Sequence, residues 1–326
     1  MTDVSLFRTD AEFMLPHGWG CGCLLHSRRL FTGRLFTGLL LGAPLAAALP
    51  AQAQDKVNEG VRGELGGESR FTKLVSAEQV EGAAAQQYAQ MMQKAAQQRA
   101  LAPDNHPQLQ RLRFIAQRLI PQAASWNERA RQWRWEVNLL GSKDLNAFCM
   151  PGGKIAFFYG ILALLQLSDD EVAMIMGHEM AHALREHARE RMGKTAATRI
   201  GASVLSAFLG LGNTGDALLN MGGQLLTLKF SREDESEADV VGLELAARAG
   251  YDPAAGVTLW QKMMAASKGA PPQFLSTHPA GESRIKDIQA KLPKVAPIYA
   301  RAARPERRFG APAKPVAQAS SQPATQ

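Results

Sequence analysis

The residues His178-Glu179-Met180-Ala181-His182 carry the most specific chemistry in the chain. On an α-helix, residues four apart are separated by about 40° around the axis and about 6 Å along it. Two imidazoles so spaced look into one volume and can share one metal ion. Glu179 is turned about 100° from His178, near enough to reach a water on that metal without ligating it. Peptide hydrolysis needs this set. Zinc polarises the scissile carbonyl and acidifies the water, and the carboxylate carries the water's proton to the leaving amine. The plain alternative, two structural histidines, would bury two imidazoles and a carboxylate among Met, Ile and Ala, which is costly without other partners.

A catalytic zinc takes three protein ligands. The stretch SREDESEAD, Ser231 to Asp239, holds five acidic side chains in nine residues. On a helical wheel Asp239 lies about 40° from Glu235, and Gly242, Ala246 and Ala249 fall within about 40° of it. Glu233, Glu237, Glu244 and Arg248 gather on the far side, and Glu233 and Glu237 read as a solvated face. Glu235 and Asp239 sit on the face to be buried, where a carboxylate needs a cation or hydrogen-bond donors. Glu235 is therefore the expected third ligand. Asp239, one turn on, suits orienting a ligating histidine through its other ring nitrogen. Asp234 is intermediate and carries no assignment.

Several elements must position these groups. Ser168 and Glu171 form a capping box, and the helix they start, roughly Asp169 to Arg191, is apolar on nearly every side from Val172 to Leu184. A helix apolar all round is a buried one. Its last turn, REHARER, is expected to reach water. Upstream, Trp135, Val137 and Leu139 alternate with Arg134, Glu136 and Asn138, the period of a half-buried strand. LNAFCMPGGKIAFFYG then reads as strand, Gly-Gly turn, strand. Two helices precede the strands, one capped by Ser76 and Gln79, the other opened by Pro107. The apolar, Gly-interrupted stretch IGASVLSAFLGLG (200–212) reads as a hairpin or helix on the core, too short to span a membrane.

The formal charge of +7 is unevenly placed: five basic residues against one acid from Arg301 onward, and four against three in the first 53 residues. The body is close to neutral, which excludes a nucleic-acid footprint. Residues 1–53 read as a signal peptide: basic HSRRLFTGR, a short apolar run, and Ala51-Gln52-Ala53 as a cleavage site before Gln54. Arg28 and Arg29 fit a twin-arginine signal, so export to the periplasm by the Sec or twin-arginine route is expected. Residues 54–74 read as a linker, 75–300 as the catalytic domain, and 301–326 as a disordered basic tail suited to peripheral contact with an anionic membrane surface. The mature chain would keep Cys149 alone, an unreactive buried thiol without a disulfide partner, and would have no transmembrane span.

Three ordered motifs, HEMAH, SREDESEADVVG and THPAGESR, resemble those of the CAAX prenyl protease type I and HtpX-like zinc metallopeptidases (metallopeptidase family forty-eight, gluzincin type). The resemblance covers roughly residues 75 to 295. It is closest to the soluble periplasmic branch that includes the outer-membrane quality-control proteases BepA and LoiP. It implies one zinc per chain on His178, His182 and Glu235, with Glu179 as general base and Asp239 in the Glu-x-x-x-Asp pattern. The HPxxxxR element falls on His278, Pro279 and Arg284. Its histidine would approach the metal as a transition-state donor or as a plug, and Arg284 would support the site from behind. LNAFCMPGG looks like the family's edge strand, whose backbone at Asn146, Ala147 and Phe148 would pair with an extended peptide. The fold implied is α+β, predominantly helical, with a small antiparallel sheet beside the HExxH helix. The function implied is zinc-dependent endoproteolysis of misfolded or stalled envelope proteins. A latent or non-catalytic holdase that binds unfolded envelope proteins is the alternative.

Overall fold

The computed structural model describes residues 60–198, 225, 228–267, 273–278 and 281–313. The expected signal segment, the apolar stretch 200–212 and Pro279 lie outside the described residues.

The alternating stretch after Trp135 becomes β1 (Glu136–Leu140), with Val137 and Leu139 buried and Glu136 exposed. β2 (Ala147–Met150) and β3 (Lys154–Phe158) form the expected antiparallel hairpin, Ala147 opposite Phe157. Its turn uses Gly152 and Gly153 at φ of 82° and 77°, a region glycine enters without a Cβ clash. The sheet is mixed, however, where a wholly antiparallel one was expected: β1 pairs β3 in parallel, giving the order β1-β3-β2. The reason lies in β3. Ile155 and Phe157 enter one apolar cluster and Ala156 another, and a strand buried on both faces belongs at the centre. That leaves β2 as an edge.

The molecule is mostly helical. α1 (Ala77–Gln97) lays Ala84, Tyr88 and Met92 on one face of the sheet. α2 (Pro107–Ala123), opened by Pro107, packs on the other. A short α3 (Tyr159–Leu164) leads to α4 (Asp169–Leu184), whose Ser168–Glu171 capping box has both halves formed. Val172, Ala173, Met176 and Met180 of α4 are wholly buried, as its all-round apolarity requires. The helix stops short of Arg191. Glu186 takes a φ of 56°, and α5 (His187–Thr198) starts afresh. Asn127 donates to the Leu184 carbonyl at 3.0 Å, satisfying one acceptor freed by the break. α6 (Arg232–Arg248), α7 (Ala255–Ala266), α8 (Gln273–Thr277) and α9 (Glu282–Arg301) complete the described helices.

α4 is enclosed by α6, β2, α2 and α7, and α9 covers α6 and α7. The α4–α6 crossing depends on two glycines. A Cβ built on Gly177 would lie 2.9 Å from the Gly242 carbonyl oxygen, and one on Gly242 would lie 2.8 Å from the His178 nitrogen. Only hydrogens fit there, so the two helices approach backbone to backbone. This contact sets the distance between the His178–His182 turn and the acidic turn of α6.

Both expected flexible ends are docked in their described parts. In the stretch read as a linker, Val61 is buried and its N–H donates to Glu244 Oε2 at 2.9 Å. In the stretch read as a disordered tail, the Phe309 N–H donates to Asp169 Oδ2 at 2.7 Å, and Gln166 Nε2 donates to the Pro312 carbonyl at 2.8 Å. These backbone groups find partners on the body that composition does not reveal. No helix among the described residues is long and apolar enough to cross a membrane.

Candidate active site

His178 and His182, one turn apart on α4, bring their Nε2 atoms to 3.1 Å. Both rings and Glu179 are buried, at 3%, 3% and 2% exposure. From α6, Glu235 reaches both rings: Oε2 lies 3.5 Å from His178 Nε2 and Oε1 3.4 Å from His182 Nε2. His278, at the end of α8, joins them, its Nδ1 2.9 Å from Glu235 Oε1 and its Nε2 3.5 Å from Glu179 Oε1. Its ring stacks on Phe274, centroids 4.5 Å apart. The donor atoms of His178, His182, Glu235 and His278 all lie within 4.8 Å of one another.

Each acid of SREDESEAD has a distinct position. Asp234, unassigned by the wheel, completes a capping box with Ser231. Asp239 Oδ1 sits 3.0 Å from His178 Nδ1, where it was expected to orient a histidine. Arg284, from α9, donates to both Asp239 oxygens at 2.7 Å, pairs with Glu235 Oε2 at 2.6 Å, and stacks on Trp260. Glu233 is exposed. The assignment of Glu237 to a solvated face does not hold, and Glu244, on the same far side, is buried too. Glu237 is half-buried, with Arg185 at 2.7 Å and His187 Nε2 at 3.0 Å on its two oxygens. Glu244 is fully buried between Arg62, Arg248 and the Val61 amide.

His187 escaped the sequence reading altogether, since REHARER was taken to reach water. It is 1% exposed, and its Nδ1 lies 2.9 Å from His182 Nδ1. The available signal was a histidine five residues past His182, beyond the last apolar turn of α4. The helix break that turns it inward leaves no comparable mark in the sequence.

Burial and neighbours set the charges. Burial opposes ionisation of Glu235 and Asp239, yet their histidine and arginine partners pull both carboxyls below the usual range. Burial also works against a charged His178, but Asp239 and Glu235 prevail and hold it at about 9 in the metal-free site. Burial lowers His182 well below the ordinary imidazole value. Glu179 is raised, chiefly by burial, the direction that makes a carboxylate a better proton acceptor.

A family model described as peptidase family M48 matches residues 105–292, more than half of the chain. The chain belongs to this family. Curated relatives include the mitochondrial metalloendopeptidase OMA1 of Schizosaccharomyces pombe, 39% identical over 49% of this chain and 48% of that protein. The metalloprotease LoiP of Escherichia coli is 29% identical over 59% of this chain and 73% of its own length. The β-barrel assembly-enhancing protease of the same bacterium is 28% identical over 49% and 35%. This M48 chain spans about half the length of the first OMA1 relative it matches.

The donor set suits the family's metal. Two imidazoles and a carboxylate, with a position left for water or substrate, are a known zinc arrangement. Glu179 Oε1 is a buried carboxylate oxygen without a hydrogen-bond partner among the described residues, and it faces the same space. Zinc is the cofactor these residues fit.

The site opens on β2. The Phe158 N–H donates to the Asn146 carbonyl at 3.0 Å, and in an antiparallel ladder the bonded pairs alternate. Asn146 and Phe148 therefore turn their backbone groups to β3, while Ala147 and Cys149 turn theirs to the open edge. Beside this edge lies a cavity of about 190 Å³ that reaches Glu179, His182 and His278. Met91, Phe148, Met150, Phe158 and Leu228 make much of its wall apolar. Cys149 is buried, and burial, with Glu179 nearby, raises its thiol pKa well above normal, in keeping with an inert thiol.

Proposed function

We propose that this M48 protein is a zinc-dependent metalloendopeptidase that hydrolyses peptide bonds in misfolded or stalled cell-envelope proteins. The observation that carries the reading is the buried convergence of His178, His182 and Glu235 beside a Glu179 carboxylate oxygen that accepts no hydrogen bond among the described residues. His178, His182 and Glu235 would hold the metal. Bound zinc supplies Lewis acidity to the scissile carbonyl and to the attacking water.

The remaining chemistry belongs to the chain. An extended substrate adds to the free edge of β2, its backbone bonded to Ala147 and to the Cys149 carbonyl, since the Cys149 N–H is turned to Glu179. This places a peptide carbonyl over the site, with an apolar side chain in the cavity beside Phe148 and Met150. Glu179 takes the proton of the attacking water at its carboxylate and passes it to the leaving amine nitrogen. Asp239, braced by Arg284, holds His178 with Nε2 facing inward. His278 stands near enough to donate from Nε2 to the developing oxyanion, stacked in place on Phe274.

Export to the periplasm rests on the basic and apolar pattern of residues 1–53 and its Ala51-Gln52-Ala53 site. An envelope substrate is supported by the relative named for β-barrel assembly. A holdase without catalysis is not favoured, because the relatives matched here are named as peptidases. The test is casein digestion by the purified mature chain with and without a zinc chelator, comparing wild type with His278→Ala. Chelator-sensitive cleavage by wild type supports the proposal. Cleavage by the variant alone marks His278 as a plug, and none by either overturns the peptidase reading.

A further inference from the structure

We propose that His187 and Glu237 form a positioning dyad that fixes His182 in the tautomer a metal ligand requires. The proposal rests on the zinc-site reading above and adds two residues to it.

With His187 neutral, the geometry allows one polarity. His187 Nε2 lies 3.0 Å from Glu237 Oε2, and a carboxylate only accepts, so His187 carries its proton on Nε2. Its Nδ1 is then a lone pair, and it faces His182 Nδ1 at 2.9 Å. His182 must donate from Nδ1, which leaves its Nε2 lone pair directed at His178 Nε2 and Glu235. Arg185 binds Glu237 at 2.7 Å and anchors its other end on the Gly66 carbonyl.

The two sides of the site thereby match. His178 is held by Asp239, which Arg284 braces. His182 is held by His187, then Glu237, which Arg185 braces. Each inward Nε2 has a carboxylate and an arginine behind it, and the second chain is longer by one imidazole.

The break after α4 makes the longer chain possible. On an unbroken helix His187 would stand about 140° around the axis from His182. Glu186, at a φ of 56°, redirects the chain so that α5 opens with His187 against His182. A non-glycine residue in that region is uncommon, and it persists where the surroundings hold it. Here Glu186 pairs with Arg189 at 2.6 Å, and the Glu190 N–H donates to its carbonyl at 2.9 Å.

The test uses the full mature chain and four variants: His187→Ala, His187→Gln, Glu237→Ala and Glu235→Ala. Zinc affinity is measured by competition with a chromogenic chelator, and the visible spectrum of the cobalt-substituted protein reports ligand geometry. His187→Ala is expected to weaken zinc about 10- to 100-fold and to change the cobalt spectrum, while the metal-free Tm stays close to wild type. His187→Gln, whose amide oxygen can accept from His182 Nδ1, should recover part of the loss. Glu237→Ala, at the half-exposed end of the dyad, should show a smaller loss in the same direction and decides the matter if His187→Ala does not fold. Wild-type zinc affinity and cobalt spectrum in both His187→Ala and Glu237→Ala would overturn the dyad. If wild type binds no zinc, or Glu235→Ala binds it equally well, the zinc-site reading fails instead.

Discussion

Replacing Gly242 by alanine sets two measurable effects against each other. In an exposed helix interior the change gains roughly 0.5–1 kcal/mol, because alanine has less backbone freedom to lose on folding. At Gly242 the new methyl would stand 2.8 Å from the His178 nitrogen and 3.1 Å from the Gly177 carbonyl carbon. Both neighbours are backbone and cannot rotate away. Comfortable contact begins near 3.5 Å, so α4 and α6 must part by roughly 0.7 Å in a close-packed interior. Overpacking of that kind costs about 1–3 kcal/mol, and at the middle of both ranges it outweighs the propensity gain to leave a net loss of about 1 kcal/mol. Gly82 in α1 provides the control, because a Cβ there meets nothing within 4 Å. Gly82→Ala should therefore show the propensity gain alone. The zinc-loaded form should lose more than the metal-free form at Gly242, since parting the helices also draws Glu235 away from both imidazoles and weakens the linkage between binding and folding. Urea unfolding of both variants, with and without zinc, measures each quantity. A Gly242→Ala protein as stable as wild type without metal would refute the close-crossing argument.

Five further outcomes are expected. Glu179→Gln should retain stoichiometric zinc and lose casein cleavage by at least about 100-fold, and retained cleavage removes Glu179 as the base. Glu235→Ala should lower bound zinc far more than Glu233→Ala, measured by elemental analysis. Glu233 is the proper comparison because it is exposed, whereas Glu237 contacts His187. Zinc affinity should climb with pH towards about 9, because Asp239 and Glu235, against burial, hold a proton on metal-free His178 that zinc must displace. The same raised pKa stabilises the metal-free fold fully below about pH 6.5 and progressively less as pH rises through 9, so its Tm should fall over that window. A Tm that stays flat there would count against the His178–Asp239 pairing. N-terminal sequencing of protein recovered from the periplasm should begin near Gln54, and a start at Met1 would rule out the proposed cleavage.

Local signals were legible wherever the cause was itself local. The capping box at Ser168 and the Gly152–Gly153 turn both formed because each concerns a few adjacent residues. Burial of α4 followed from its composition, and the facing of His178 and His182 from their spacing. The parallel β1–β3 pair, the break at Glu186 and the docked end at Phe309 were not legible. Each depends on partners distant in sequence, such as Asp169 for the Phe309 amide. The wheel placed Glu235 and Asp239 correctly and misplaced Glu237 for one reason. It assumes a single buried face, and α6 is covered by α4, α2 and α9 and by the chain around Val61.

A helix covered on so many sides cannot sort its acids by burial, and the sorting comes from their partners. Glu244 has Arg62 and Arg248, Glu237 has Arg185, and Asp239 has Arg284. Each of these pairs is a carboxylate against a permanent cation. Glu235 also meets Arg284 through Oε2, but on its other side it faces the imidazoles of His178 and His182. The Nδ1 atoms of those rings are engaged by Asp239 and His187, so the Nε2 atoms, 3.1 Å apart, are the ones that confront Glu235. Three Lewis bases at such distances repel unless a cation stands among them. In the metal-free protein that cation is a proton, and against burial Asp239 together with Glu235 holds it on His178, whose pKa is pushed up to about 9. On the proposed ligand set zinc and the proton would compete for one place, and the expected pH dependence of zinc binding would follow from the same arrangement that buries the carboxylate of α6.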